Sequence, residues 1–321
     1  MALVFTAQWF RLGGGVVHPL MRRYASKRLK ESSKIMYEEI QAILIKFNEK
    51  VVSANSFQCS LDNTTTTQLK DLYKAKESTN EGDLSRLISV NNLIVSHMTS
   101  GEDFYVGATT HTIESKINSL WLQHNRQNQW ILAEVYESFE IFLTELYAFL
   151  GHANVGVWKE SELPKASGSL NLDVYTELIK SKRITPRKIM NQLSQVIPNL
   201  KQAELRNCFK NINIRFAISV IENFRHLIVH KHGEIENKEA FVQKVIKESG
   251  CAVPKDQEVF YLSFIDYYLG KGVYSNHIHL LKRTANIGLP IPAHYSRIND
   301  IFKILLSYAH YVVECILEKE A

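Results

Sequence analysis

The strongest helical pattern in the chain lies in residues 211–233, NINIRFAISVIENFRHLIVHKHG. Its apolar residues recur at steps of three and four, at Ile214, Ala217, Ile221, Phe224 and Ile228. This spacing predicts one amphipathic helix whose apolar seam faces a core. We expect Gly233 to end the helix, because glycine commonly occupies the position after a helix C-terminus.

Polar side chains occupy the other side of this predicted helix. Glu222, His226 and His230 form an i, i+4, i+8 row, with Arg225 at its edge,. Val229 is an apolar residue within the same face. We therefore expect the face to meet another surface, either a second copy of the chain in a homodimer or another helix of the same chain.

Other segments also show helical spacing. We predict helices in residues 33–52, 69–75, 112–150, 172–197, 237–249 and 298–317. The fourth segment holds one or two helices, with a break near Pro186,. Polar residues 55–68 predict a loop, and residues 84–97 fit either a helix or a strand.

A small β-hairpin is predicted between the later helices. Residues 258–269 and 273–281 are rich in β-branched and aromatic side chains and flank a Gly-Lys-Gly turn,. Tyr267, Tyr268 and Tyr274 fit either core packing or a platform on which RNA bases stack. The expected fold class is thus mostly α, a helical bundle with a small β-hairpin insertion.

The turn-rich residues 99–110 suggest a domain boundary. They divide the chain into an N-terminal accessory helical region, residues 1–110, and a helical domain, residues 111–321. Residues 1–30 contain basic side chains and no acidic ones, which fits a basic arm or an organellar targeting segment,.

Composition then narrows the class of protein. The 321 residues are 45% hydrophobic and 22% charged, as in ordinary globular domains,. No apolar run reaches the ~18 residues of a membrane span, so we expect no membrane association. The 4 cysteines form no CxxC pair, which argues against a disulfide framework and fits a cytoplasmic protein,. Nucleotide-binding glycine motifs are absent, and no cofactor is expected.

The charge pattern adds a candidate RNA contact. The net charge of +5 is compatible with nucleic acid,. The densest basic segment is residues 180–188, where Lys182, Arg183 and Arg187 are predicted to contact the RNA backbone,. The alternative is a solvated helix face.

The histidines also raise the possibility of a metal site. His226 and His230 have a chelating i, i+4 spacing, and Glu222 is a further candidate ligand,. H-E-x-x-H is absent, however, and Arg225 would repel a cation,. We expect no metal.

The polar face of the helix suits chemistry on a phosphodiester. Histidine exchanges protons near neutral pH, and arginine is a permanent cation that binds phosphate oxygens. The stretch Arg225-His226-Leu227-Ile228-Val229-His230 resembles the R-x4-6-H motif of the HEPN superfamily.

This resemblance implies a HEPN-like helical bundle, a homodimer and a role for each residue. His230 would be the general acid or base when the RNA 2′-OH attacks, Arg225 would hold the scissile phosphate, and His226 would position the substrate or Arg225. HEPN toxins that pair with nucleotidyltransferase antitoxins carry H-x-Y, whereas His232 stands at the tyrosine position here.

We therefore expect a metal-independent endoribonuclease, acting as a toxin or an antiviral defence effector. Its partners would be RNA, a second copy of the chain, and an antitoxin or regulatory protein. The alternative is a catalytically inactive HEPN module that binds RNA or a partner protein.

Overall fold

The structure, a computed structural model, describes residues 31–78, 89–159, 171–204, 206, 212–251, 257–285 and 293–319. The predictions for residues 1–30 lie outside this range. The helices are α1 Glu31–Ser78, α2 Ile113–His152, α3 Leu172–Ser181, α4 Pro186–Val196, α5 Pro198–Glu204, α6 Ile214–Lys231, α7 Lys238–Ser249, α8 Glu258–Tyr267 and α9 Arg297–Lys319. The strands are β1 Ser89–Ser96, β2 Asp103–His111, β3 Arg283–Ala285 and β4 Ala293–Tyr295. The predicted fold class, mostly α with a small antiparallel hairpin, is confirmed.

Helix α2 is the central element of the core, and it contacts α1, α3, α4, α6 and α9. Thr112 caps its start by accepting a hydrogen bond from the Ser115 backbone N–H at 3.1 Å,. Leu132, Phe139 and Leu146 are fully buried along its seam. The predicted helix 112–150 is therefore confirmed, as are those at 237–249 and 298–317 and the break between α3 and α4.

The predicted loop at residues 55–68 is wrong, because α1 runs through it as one helix of 48 residues. The buried seam begins with Ile40, Leu44, Phe47, Val51 and Ala54. It continues at the same spacing of three and four through Gln58, Asp62, Thr65 and Leu69. Polar side chains thus occupy the inner face of the second half of α1, so the apolar pattern there is lost although the helix continues.

The ambiguous segment 84–97 contains strand β1, which pairs with β2 in an antiparallel hairpin. Residues 99–110, predicted as a turn-rich boundary, supply the turn and most of β2. Helix α1 shares the main core with α2 through Phe47, whose ring stacks on Phe142 with centroids 5.3 Å apart. The described part of residues 1–110 therefore contributes to the core of the predicted helical domain.

The hairpin predicted at residues 258–281 is wrong. Residues 258–267 form helix α8, a 3₁₀ turn covers Gly272–Tyr274, and a single bridge joins Leu269 to Ile278. The buried residues Tyr261, Phe264, Ile265 and Tyr268 follow helical spacing,. Tyr268 is only 1% exposed, so it is a core residue and cannot stack on an RNA base.

Candidate functional site

The motif helix α6 has the predicted position. The side chain of Asn213 caps its start by accepting a hydrogen bond from the Arg215 backbone N–H at 2.8 Å,. The helix ends at Lys231, because His232 adopts a left-handed conformation with φ 56° and Gly233 follows with φ 79°. The Gly233 N–H donates to the Leu227 carbonyl at 3.0 Å, which completes the turn,.

The two halves of α6 have different surroundings. The predicted seam is confirmed, since Ala217, Ile221, Phe224 and Ile228 are each at most 2% exposed and Ile214 is partly buried. All residues from Arg215 to Ile221 are buried, including Arg215 and Ser219. The polar face that the sequence predicts is therefore present only from Glu222 onward.

His226 and His230 lie together on this polar face. Both side chains are exposed, and their ring centroids are 4.6 Å apart. The pKa of His226 is lowered by partial burial and then by the positive charges of His230, Lys244 and Arg225. A lowered pKa keeps the His226 imidazole neutral at neutral pH, so it can accept a proton or a hydrogen bond.

Arg225 lies beside the two histidines and faces α2. Its side chain is half-buried, and among the residues that the structure describes no group accepts a hydrogen bond from its buried Nε. Burial raises the pKa of Glu140 on α2, and the charge of Arg225 opposes that rise. The guanidinium is thus close enough to influence a carboxylate, and its Nε is free to bind an acceptor from outside the described part of the chain.

The third member of the row, Glu222, belongs to an ion-pair network. Its carboxylate accepts from Arg187 Nη2 at 2.8 Å, and the same nitrogen lies 3.1 Å from Glu248. Asn223 Nδ2 donates to Glu248 at 2.9 Å. These contacts neutralise Arg187, so a contact between Arg187 and RNA would require the ion pairs to open.

The other predicted RNA-binding residues precede α4. Lys182 and Arg183 lie in the turn between α3 and α4, where Arg183 is left-handed with φ 49°. Both side chains are exposed. The fold brings Arg187 to the face of α6 through its ion pair with Glu222.

The structure adds residues that the sequence pattern did not identify. Arg126 of α2 contacts His232 Nδ1 through its Nη2 at 2.8 Å, and Trp130, one turn further along α2, lines a groove with Arg225 and Val229. These residues are about 100 positions from the motif helix in sequence, as the separation of 106 for Arg126 and His232 shows. Single-sequence periodicity carries no signal for such a pairing.

Comparisons with known proteins do not extend this description. No family model, curated protein or solved structure matches the chain. Within the described ranges, no three His, Cys, Asp or Glu side chains are grouped as a metal site would require. In the same ranges, no helix combines the length and the apolar character that crossing a membrane requires.

Proposed function

We propose that this protein is an endoribonuclease that cleaves RNA by attack of the 2′-OH on the adjacent phosphate, without a metal ion. The observation that carries this proposal is the pair of exposed imidazoles of His226 and His230, 4.6 Å apart on a cationic face. Each imidazole can give or take a proton near neutral pH, and here two of them adjoin a permanently charged guanidinium.

The reaction balances with these two side chains. Neutral His226 or His230 accepts the 2′-OH proton, the 2′-oxygen forms a bond to phosphorus, and the bond from phosphorus to the 5′-oxygen breaks. The second imidazole, in its protonated form, donates a proton to the leaving 5′-oxygen. The products are a 2′,3′-cyclic phosphate and a free 5′-OH end.

Arg225 would stabilise the charge that develops on the phosphate. It precedes His226 in the chain and carries a permanent positive charge, and its Nε has no acceptor among the described residues,. Binding a phosphate would provide an acceptor for the guanidinium. We include in the proposal a cytoplasmic homodimer in which the exposed His226 and His230 of two copies face one another, and regulation by an antitoxin or another partner protein.

A second candidate function is an inactive module that binds RNA or a protein. The observation that favours it is that the charge of Arg225 acts on the carboxylate of Glu140, as the charge of Glu222 also does. Such a carboxylate competes with a phosphate for the guanidinium.

The test is incubation of the purified protein with total RNA in excess EDTA. We expect cleavage to continue and the fragments to end in 2′,3′-cyclic phosphate. A matched oligonucleotide with 2′-deoxy sugars should remain intact, because it lacks the nucleophile. Strict dependence on a divalent ion, or cutting of the deoxy substrate, would refute the proposed mechanism.

A further inference from the structure

A groove of about 370 Å³ opens between α2 and α6, next to the candidate site. Arg225 and Val229 of α6 form one side, and Trp130 of α2 forms the other. Trp130 is 51% exposed, and Phe57 of α1, which also lines the groove, is 57% exposed. Large aromatic side chains left this open beside a candidate site suggest a ligand that stacks on them.

The groove also contains two carboxylates, which accept hydrogen bonds. Glu134 and Glu137 line it and are exposed. They follow Trp130 at steps of four and three, so the three side chains lie above one another on one face of α2. The groove thus presents an aromatic surface, two carboxylates and, at its edge, the guanidinium of Arg225.

These features fit the base of a nucleotide better than its phosphate. Carboxylates accept hydrogen bonds and repel anions, so a phosphate is favoured at Arg225 and disfavoured beside Glu134 and Glu137. A base offers a flat face for Trp130 and, when it is unpaired, free N–H groups on its edge. A base within a duplex has already used that edge.

We propose that the groove binds one unpaired base, guanine preferred, of the nucleotide next to the scissile phosphate. Guanine carries two adjacent N–H donors, at N1 and N2, which match the two oxygens of one carboxylate. Adenine and cytosine carry a single amino group, and the uracil N3–H is flanked by two carbonyls that the carboxylate would repel. The position next to the scissile bond rests on the proposed endoribonuclease function, whereas binding of the base does not.

The test measures binding of oligonucleotides that cannot be cut. Two fluorescent 2′-O-methyl pentanucleotides, UUGUU and UUUUU, are titrated with the full chain. We expect UUGUU to bind about 10-fold more tightly. Trp130→Ala should weaken binding of both oligonucleotides by about 10-fold, because a stacked aromatic contributes about this factor.

Two further variants separate stacking from base recognition. The double change Glu134→Gln and Glu137→Gln should remove the preference for UUGUU, since an amide no longer offers two acceptors. Trp121→Ala is the matched control, because Trp121 is also exposed on α2, at 41%, but does not line the groove. It should leave both affinities unchanged.

Three results would overturn the inference. The first is equal affinity of the wild type for the two oligonucleotides. The second is an equal change of affinity in Trp130→Ala and Trp121→Ala. The third is a change in the sedimentation of Trp130→Ala without a change in its affinity for the oligonucleotides. The last result would mean that a second copy covers the groove. A guanine preference without cleavage of ordinary RNA would refute only the endoribonuclease proposal, and cleavage without a base preference would refute only this one.

Discussion

Two of the regions where the described part of the molecule combines arginine with histidine differ in burial. In the open cluster, Arg225, His226 and His230, both imidazoles are exposed. The closed cluster consists of Tyr267, His279, Arg297 and Asp300. There Arg297 is 5% exposed and contacts the His279 ring. Its guanidinium donates to the His279 carbonyl at 3.1 Å, and its Cζ lies 5.6 Å from the centroid of the Tyr267 ring.

The difference shows that residue type alone does not identify a site for chemistry. In the closed cluster, burial and the charge of Arg297 lower the pKa of His279 to about 4, so this ring is a neutral acceptor at physiological pH,. Tyr267 donates to Asp300 at 2.8 Å, which holds a second polar group in place. Of these two clusters, only the open one has exposed imidazoles.

The largest expected effect is on catalysis in the open cluster. His230→Ala should lower RNA cleavage by ~10²–10⁴-fold, because it removes one of two proton-transferring groups. The free energy of unfolding should change by less than about 0.5 kcal/mol, since the ring is exposed,. Single-turnover cleavage and thermal unfolding measure the two quantities. His152→Ala, at an exposed histidine ending α2, is the control, and an equal loss there would contradict the assignment.

The closed cluster should instead control stability in acid. The unfolded chain protonates His279 near pH 6.5, whereas the folded pKa is about 4. Stability from this group is therefore complete above pH 6.5 and lost as the pH falls to about 4. The pKa difference corresponds to at most about 3 kcal/mol, and partial exposure reduces it.

The comparison of two glutamine variants isolates this effect. His279→Gln keeps an acceptor for Arg297 but does not titrate, so its urea unfolding free energy should depend less on pH than that of the wild type. His226→Gln in the open cluster should change the pH dependence far less. Parallel curves for His279→Gln and the wild type between pH 7 and pH 4 would show that His279 is not the titrating group.

A smaller effect on stability is expected for Arg187, which forms an ion pair with Glu222 of α6. Arg187→Ala leaves Glu222 and Glu248 without their shared cation, in side chains that are 29% and 26% exposed. We expect a loss of about 1–2 kcal/mol, between the values for exposed and buried pairs. Lys180→Ala breaks the exposed pair with Glu177 and should cost less than about 0.5 kcal/mol,. Equal losses would mean that the Arg187 network is only a surface pair.

The smallest effect concerns the turn between α3 and α4. Lys182→Glu with Arg183→Glu should weaken RNA binding and lower the slope of log affinity against log salt by ~0.7 for each phosphate contact removed. Lys70→Glu with Lys74→Glu makes the same change of charge at exposed positions of α1. An unchanged slope for the first pair would mean that the turn is a solvated surface.

The fold was predictable from the sequence wherever apolar residues mark the buried face. Helices α2, α6, α7 and α9 lie where the spacing placed them. The prediction failed in the second half of α1, where Gln58, Asp62 and Thr65 occupy the seam. Asp62 lies 2.8 Å from His124 Nε2 and forms an ion pair with Lys282. Such partners are distant in sequence, so periodicity could not anticipate them.

The failure at α8 has a different cause. Residues 258–267 are rich in β-branched and aromatic side chains, which favour strands,. Tertiary packing overrides this preference, because Tyr261 and Phe264 pack their rings against Phe216 of α6 at 4.5 and 6.1 Å between centroids. A helix places both rings on one side, whereas a strand would not bring residues three apart to the same face.

The sequence by itself determined that the chain is mostly helical and that Ala217, Ile221, Phe224 and Ile228 of α6 face the core, because these apolar residues recur with the helical period of 3.6,. Only the tertiary structure decided which polar residues of α6 remain open. Arg187 and Glu248 reach Glu222 from other helices, whereas no such partner encloses His226 and His230 in the described part of the chain. Burial and pairing depend on contacts between segments far apart in sequence, and these contacts set the pKa and the accessibility that chemistry requires.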